Sequence, residues 1–191
     1  MSESISEFFN LSPKVLEIDA LCLADCEAEF RRIDEIKEYN QLKMLKAFTD
    51  CRVSANHLVG TTGYGYDDIG REKIEQVFAK LTGSEDALFR HNFMSGTHTL
   101  TVALFGVLRT GDTMLCATGT PYDTLCSVIG LTEGDANYGS LKDYGIKYAE
   151  VALKDGKPDL KGISTACVGK KICYIQRSRG YADRPSLSLE D

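Results

Sequence analysis

From Ser12 to Thr49 apolar residues recur at mixed three- and four-residue steps: Val15, Ile18, Leu21, Leu23, Phe30, Ile33, Ile36, Leu42, Met44 and Leu45. That is the period of one helix face. Ser12-Pro13 supplies an N-cap and a first-turn proline, so the pattern predicts a single long helix. An arm this long and this apolar on one side is expected to pack on the body of the protein or on a partner subunit. Periodicity then stops over residues 57–71, where HLVGTTGYGYDDIGR carries four glycines and reads as a loop. A second helix is predicted over residues 72–81, closed by Gly83 in the left-handed cap position.

Beyond residue 85 the rhythm changes to short apolar runs alternating with helical segments. Strands are predicted at 86–93, 112–117, 146–153 and 171–176, and helices at 97–108, 122–129 and 160–168. Residues 131–145, rich in Gly, Asp and Asn, are predicted to be an irregular surface excursion. The β-α-β-α-β-α-β order predicts the α/β class, a mainly parallel sheet with helices on both faces and right-handed crossovers, preceded by an N-terminal helical arm. The expected division is an arm over 1–56 and a body over 57–191. Ligands of such sheets sit beyond the carboxyl ends of the strands, so the loops after Phe93, Ala117, Leu153 and Gln176 carry the search for a site.

With 191 residues, 43% hydrophobic and 26% charged, the chain falls in the ordinary globular class with one core. A formal charge of −6 argues against a nucleic-acid or anionic-membrane partner, because each needs a concentrated basic face. Seven cysteines without CxxC pairs point to reduced thiols and a cytoplasmic location. Cys22 and Cys26 share a helix face, but no nearby histidine completes a metal site, and none is expected. MSESISEFFNLSP has no basic stretch followed by an apolar run, so it does not read as a secretory signal, and no apolar run reaches membrane-spanning length.

Three loops carry candidate chemistry. At Ser95-Gly96-Thr97-His98 a strand-to-helix junction points free N–H groups outward. It reads either as a phosphate cup, with backbone donors at Gly96 and Thr97 and hydroxyls at Ser95 or Thr97, or as plain helix capping. His98 is open in the same way, a ligand contact or a structural histidine. In Thr118-Gly119-Thr120-Pro121-Tyr122-Asp123-Thr124, Tyr122 is either a ring for a flat cofactor to stack on or a packed side chain. After the last strand, Arg177, Arg179 and Arg184 are either an exposed basic face or donors to a carboxylate or phosphate. Neither GxGxxG nor GxxxxGK[ST] is present, which disfavours the commonest phosphate-binding sheets.

Gly60-Thr61-Thr62-Gly63-Tyr64-Gly65-Tyr66-Asp67-Asp68-Ile69-Gly70-Arg71, Ser95-Gly96-Thr97-His98, Pro121-Tyr122-Asp123-Thr124 and Tyr174-Ile175-Gln176-Arg177-Ser178-Arg179-Gly180-Tyr181 together resemble, in order and spacing, the aluminium-resistance or methionine γ-lyase-like family. The resemblance covers nearly the whole chain. It implies a fold-type-I (aspartate aminotransferase-like) enzyme dependent on pyridoxal 5'-phosphate (PLP), with residues 57–191 as an incomplete PLP-binding large domain. It also implies a homodimer or homotetramer with sites at the subunit interface, and an amino-acid substrate whose carbon–sulfur bond is cleaved, as in methionine γ-lyase or cystathionine β-lyase.

Carried over residue by residue, the resemblance gives Gly96 and Thr97 the cofactor phosphate, with Ser95 alongside, and Tyr122 the pyridine ring. Tyr64, Tyr66 and Arg71 fall where related lyases send a tyrosine and an arginine into the neighbouring subunit's phosphate site. Those relatives have Tyr-x-Arg, whereas here arginine comes only at Arg71. Arg177 and Arg179 are the substrate-carboxylate candidates. The aspartate that pairs with the pyridine nitrogen and the Schiff-base lysine lie, in fold-type-I enzymes, on later segments than these 191 residues. No lysine present sits in a matching motif, so no catalytic residue is assigned and these residues alone are expected to be inactive. The last residues, 187–191, read as the opening of another helix, and the sheet is expected to have an open apolar edge. The alternative expectation is a non-catalytic, dimer-forming module that binds PLP or phosphate.

Overall fold

The computed structural model describes residues 8–64, 66, 68–132 and 138–190. It divides into two compact units, residues 1–90 and 91–191.

In the first unit, α1 (Pro13–Asp50) has the predicted boundaries within a residue, with the Ser12 hydroxyl accepting the Val15 N–H at 3.4 Å. Its outer face is laced by pairs one turn apart, Glu27–Arg31 at 3.8 Å, Glu29–Arg32 at 2.9 Å, Asp34–Lys37 and Lys46–Asp50 at 3.0 Å. Each adds up to about 0.5 kcal/mol of local helix stability. Its apolar stripe, Val15 through Leu45, is exposed, and Ala47 is its buried residue among those described. After a short 3₁₀ turn (Ala55–Leu58), α2 (Ile69–Thr82) begins three residues earlier than predicted because the Asp68 carboxylate caps it, accepting the Arg71 N–H at 3.2 Å. Gly70 sits where a Cβ would lie 2.4 Å from the His57 carbonyl, so the 3₁₀ turn packs directly on the helix start. Gly83, at φ +73°, closes α2 as expected.

The strand predicted over 86–93 is not formed; 86–90 is irregular. Instead the Phe89 N–H donates to Glu75 at 2.9 Å, the Arg90 guanidinium pairs with the same carboxylate, and the Phe89 ring lies 5.4 Å from that of Phe78. A helix face thus satisfies the apolar pattern that a sheet was expected to satisfy.

The second unit holds α3 (Gly96–Val107), β1 (Thr113–Cys116), α4 (Asp123–Ile129), β2 (Lys147–Glu150), α5 (Leu160–Ala166) and β3 (Ile172–Tyr174). The three strands form one parallel sheet in the order β2-β1-β3. Central β1 pairs Met114 with Tyr148 on one side and with Ile172 on the other. Met114, Leu115, Cys116 and Ala117 are fully buried. Leu104 and Leu108 of α3 and its cap, and Leu125 and Ile129 of α4, close over Met114 and Cys116, with Leu141 and Ile146 completing the core. The flanks of the 131–145 excursion are irregular as predicted, with 133–137 outside the described residues. Residues 187–190 do not open a helix. Leu187 is buried and its backbone is tied to Arg177, its N–H donating to the Arg177 carbonyl at 2.9 Å.

Candidate phosphate and aromatic-ring site

The carboxyl end of β1 and the starts of α3 and α4 gather the central candidates. Ser95 is the N-cap of α3, in extended conformation, its hydroxyl accepting the His98 N–H at 3.1 Å and its carbonyl the Thr99 N–H at 3.0 Å. The N–H groups of Gly96 and Thr97 have no acceptor among the described residues. A Cβ on Gly96 would meet nothing within 4 Å, so the side on which it would stand is open to an incoming group. The Thr97 and Thr124 hydroxyls lie 2.8 Å apart and join the two helix starts. A hydroxyl has one proton and two lone pairs, so Thr97 can accept from Thr124 and still donate outward. His98 takes the structural role, its Nδ1 accepting the Met94 N–H at 3.2 Å and its ring edge-on to Phe93.

Tyr122 is the N-cap of α4, and its N–H donates to the Gln176 side-chain oxygen at 2.9 Å. Gln176 in turn donates its own N–H to the Thr118 hydroxyl at 3.0 Å and its side-chain amide to the Ser178 carbonyl at 3.1 Å. The Tyr181 ring lies 5.5 Å from that of Tyr122, tilted by 31°. Gly180 makes this approach possible, since a Cβ there would lie 2.7 Å from Cδ2 of Tyr122. The hydrogen bond with Tyr181, then burial, push the Tyr122 phenol up to about 12, so near neutral pH it carries its proton.

The three arginines of the loop after β3 separate in role. Arg177 donates to the Leu187 carbonyl at 3.3 and 3.2 Å, and Arg184 to the carbonyls of Gln176, Ser178 and Pro185. Both brace the loop. The Arg179 side chain is exposed and makes no hydrogen bond or ion pair among the described residues. Below this loop, Glu150 at the end of β2 accepts from the Thr120 hydroxyl at 3.2 Å and from the Tyr148 phenol, which fixes the turn carrying Tyr122. Burial first, then that bond, raise the Tyr148 phenol well above its usual range.

The remaining candidates belong to the first unit. Tyr64 and Tyr66 are both 84% exposed. Arg71, on the first turn of α2, pairs with Asp68 at 3.2 Å and donates to the Gly63 carbonyl, pinning the glycine loop; Gly65 and Asp67 lie outside the described residues.

Sequence reasoning thus named Ser95, Gly96, Thr97 and Tyr122, which the fold brings together. It assigned no role to Thr124, Gln176 or Tyr181. Two of these stood inside the Tyr174–Tyr181 string, but only the fold places a strand-end amide and a loop ring against Tyr122.

A parallel sheet flanked by helices, with the free N–H groups of the α3 start joined to the start of the Tyr122 helix at the carboxyl end of its central strand, defines an α/β protein. The chain belongs to the methionine gamma-lyase family, whose model matches residues 16–191. A solved structure from Clostridium acetobutylicum, of a candidate cystathionine beta-lyase involved in aluminum resistance, is 44% identical with a TM-score of 0.86, aligning 98% of this chain with 45% of that one. A carbon-sulfur lyase involved in aluminum resistance from Clostridium novyi NT gives 42%, 0.85, and 98% and 45%. The uncharacterized protein YnbB of Bacillus subtilis (strain 168) is 46% identical over 170 residues, 88% of this chain and 40% of YnbB. The chain therefore spans less than half the length of these relatives. Among the described residues no helix is long and apolar enough to cross a membrane.

Proposed function

We propose that residues 57–191 belong to the PLP-binding large domain of a fold-type-I lyase, that residues 1–56 form its helical arm, and that the intact, cytoplasmic, homo-oligomeric enzyme cleaves carbon–sulfur bonds in sulfur amino acids. The observation that carries the reading is the pairing of two unsatisfied N–H groups at Gly96 and Thr97 with the start of the Tyr122 helix through the 2.8 Å Thr97–Thr124 contact. Charge-assisted bonds from those amides, the α3 dipole and the Ser95 and Thr97 hydroxyls suit a phosphate. Tyr122 suits a pyridine ring, which shares the tyrosine with Tyr181 or displaces it.

When bound, PLP would supply the electron sink for bonds broken around Cα. This chain's residues would hold and orient. The α3 start would fix the phosphate, Tyr122 would set the ring plane, and Arg179, with Arg177 bracing its loop, would receive the substrate carboxylate. Tyr64, Tyr66 and Arg71 would serve the neighbouring subunit's phosphate site. No residue here is given the proton-transfer role, so these residues alone would bind weakly and turn nothing over.

Pyridoxine 5'-phosphate tests the non-covalent half, since it carries phosphate and ring but no aldehyde to trap stray lysines. Calorimetric titration is expected to show weak saturable binding. Thr97→Val is expected to weaken it about tenfold, the scale of one hydrogen bond to a charged group, and Tyr122→Leu several-fold, for a lost aromatic contact. Absence of saturation, or equal affinity in wild type and both variants, would overturn the assignment.

A further inference from the structure

The two rings that meet at the start of α4 are not equally exposed. Tyr122 is half-buried, whereas Tyr181, with its ring centroid 5.5 Å away and its plane tilted by 31°, is 85% exposed. Tyr181 is therefore the outer member of the pair. A flat solute arriving from water at the face of Tyr122 that Tyr181 holds meets Tyr181 first.

The width of the gap decides what such a solute can do. A ring slipped between two others needs a contact of about 3.5 Å on each side, about 7 Å in all. The pair is closer than that. The backbone beneath Tyr181 is not free to withdraw and widen it. Gly180, at φ +58°, lies so near the inner ring that a Cβ there would stand 2.7 and 3.1 Å from Cδ2 and Cε2 of Tyr122. The turn is fastened on both sides of Tyr181: the Ala182 N–H donates to the Arg179 carbonyl at 3.0 Å, and Arg184 donates to the Gln176 and Ser178 carbonyls at 3.3 and 2.9 Å. The Gln176 side-chain amide adds a bond to the Ser178 carbonyl at 3.1 Å. Rotation of the Tyr181 side chain to another staggered rotamer breaks none of these bonds.

We propose that Tyr181 is a ring gate, which lies on Tyr122 in the empty protein, occupies the face that a planar heterocycle takes, and swings out when a phosphorylated pyridine enters. The gate rests on the seat proposed above for a pyridine ring at Tyr122, and it decides for displacement of Tyr181 over sharing. Entry costs the ligand one aromatic pair, so a ring anchored by its phosphate at the α3 start outcompetes the phenol more readily than a bare ring does. Because the turn stays fastened, Arg179, two residues earlier, keeps its backbone position while the gate opens. Inorganic phosphate needs no ring face and leaves the gate closed.

The test titrates the whole chain, isotope-labelled at its tyrosine rings, with pyridoxine 5'-phosphate and separately with inorganic phosphate. Cross-relaxation between the Tyr122 and Tyr181 ring protons is expected in the free chain, is lost at saturation with pyridoxine 5'-phosphate and survives saturation with phosphate. In calorimetry Tyr181→Ala is expected to bind pyridoxine 5'-phosphate about 2- to 10-fold more tightly than wild type, the worth of one aromatic pair, with its phosphate affinity unchanged. Tyr181→Phe, which keeps a ring, is expected to stay nearer wild type. A ring contact that persists at saturation, equal or weaker binding of pyridoxine 5'-phosphate by Tyr181→Ala, or a Tyr181→Phe variant as tight as Tyr181→Ala would overturn the gate and leave Tyr122 as the ring's seat. Binding of phosphate but not of pyridoxine 5'-phosphate, by wild type and Tyr181→Ala alike, would instead overturn the seat and the gate together.

Discussion

Replacing Gly130 with alanine perturbs the point where the core helix α4 hands over to the chain that covers it. Gly130 is the C-cap of α4 at φ +94°, with its N–H on the Cys126 carbonyl at 2.9 Å. An added Cβ would lie 2.7 Å from the Ser140 Oγ, 2.8 Å from the Lys142 Cβ and 3.2 Å from the Ser140 Cβ. That segment cannot withdraw freely, because the Leu141 and Lys142 N–H groups donate to the Val128 and Ile129 carbonyls at 2.9 and 3.1 Å. Left-handed backbone costs an alanine about 1–2 kcal/mol, and overpacking adds about 1–3 kcal/mol, so roughly 2–5 kcal/mol is expected in all. Gly169→Ala is the control in the same unit. Its φ is +70° but a Cβ there meets nothing within 4 Å, leaving the backbone cost of about 1–2 kcal/mol.

Because the 38-residue α1 dominates far-UV circular dichroism, the readout is native-state amide exchange in the sheet, at Ala117, Val151 and Lys171, whose N–H groups bond across the strands. At about 1.4 kcal/mol per decade, Gly130→Ala is expected to speed exchange roughly 30-fold to several thousand-fold, and Gly169→Ala roughly 5- to 30-fold. Equal acceleration in the two variants would show that the Ser140–Lys142 segment yields without cost, and would refute the steric reasoning.

Glu75→Ala leaves the Phe89 N–H without its acceptor and removes the carboxylate partner of the partly buried Arg90, which keeps only the Phe89 carbonyl at 3.1 Å; a loss of about 1–3 kcal/mol is expected, read as faster exchange at the Phe89 amide, and an unchanged rate would sink the account of residues 86–90. The Asp159 carboxyl is held below its usual range by the Lys154 ammonium, at 2.6 Å, and then by the Gly162 N–H. A depressed folded-state value means that its contribution is present above the unfolded-state pKa and is lost as pH falls through the folded one. Lys154→Met is expected to move the Asp159 carboxyl titration, followed by NMR, upward and to shrink that acid-side loss; no movement would place the cause elsewhere. Burial pushes the Cys116 thiol up to about 11, so in the folded chain at neutral pH it is expected to be the last of the seven to react with iodoacetamide. Early labelling at Cys116 would contradict the buried β1.

Where local chemistry is complete within a few residues, the sequence was enough. Ser12-Pro13 starts α1, Thr82-Gly83 ends α2, and the boundaries of α3, α4 and α5 follow from capping residues and period. Failure came where an apolar run needed a distant partner. Residues 86–90 carry a short strand-like apolar run, yet a strand exists only if a neighbour supplies its hydrogen bonds, and Glu75 and Phe78 on α2 supplied a different solution. Residues 187–190 read as a helix start, but Arg177 claims the backbone of Leu187 from ten residues away.

The site divides along the same line. Ser95, Gly96, Thr97 and Tyr122 were legible because each stands at a helix start, where capping and free first-turn N–H groups are set by a few neighbouring residues, even though the strand expected before Ser95 does not form. Tertiary structure alone decided that Thr124 joins the two helix starts, that Gln176 holds the Tyr122 amide across 54 residues and that Tyr181 covers the ring. Those contacts depend on strand order and crossover hand, which bring together residues that no local pattern connects.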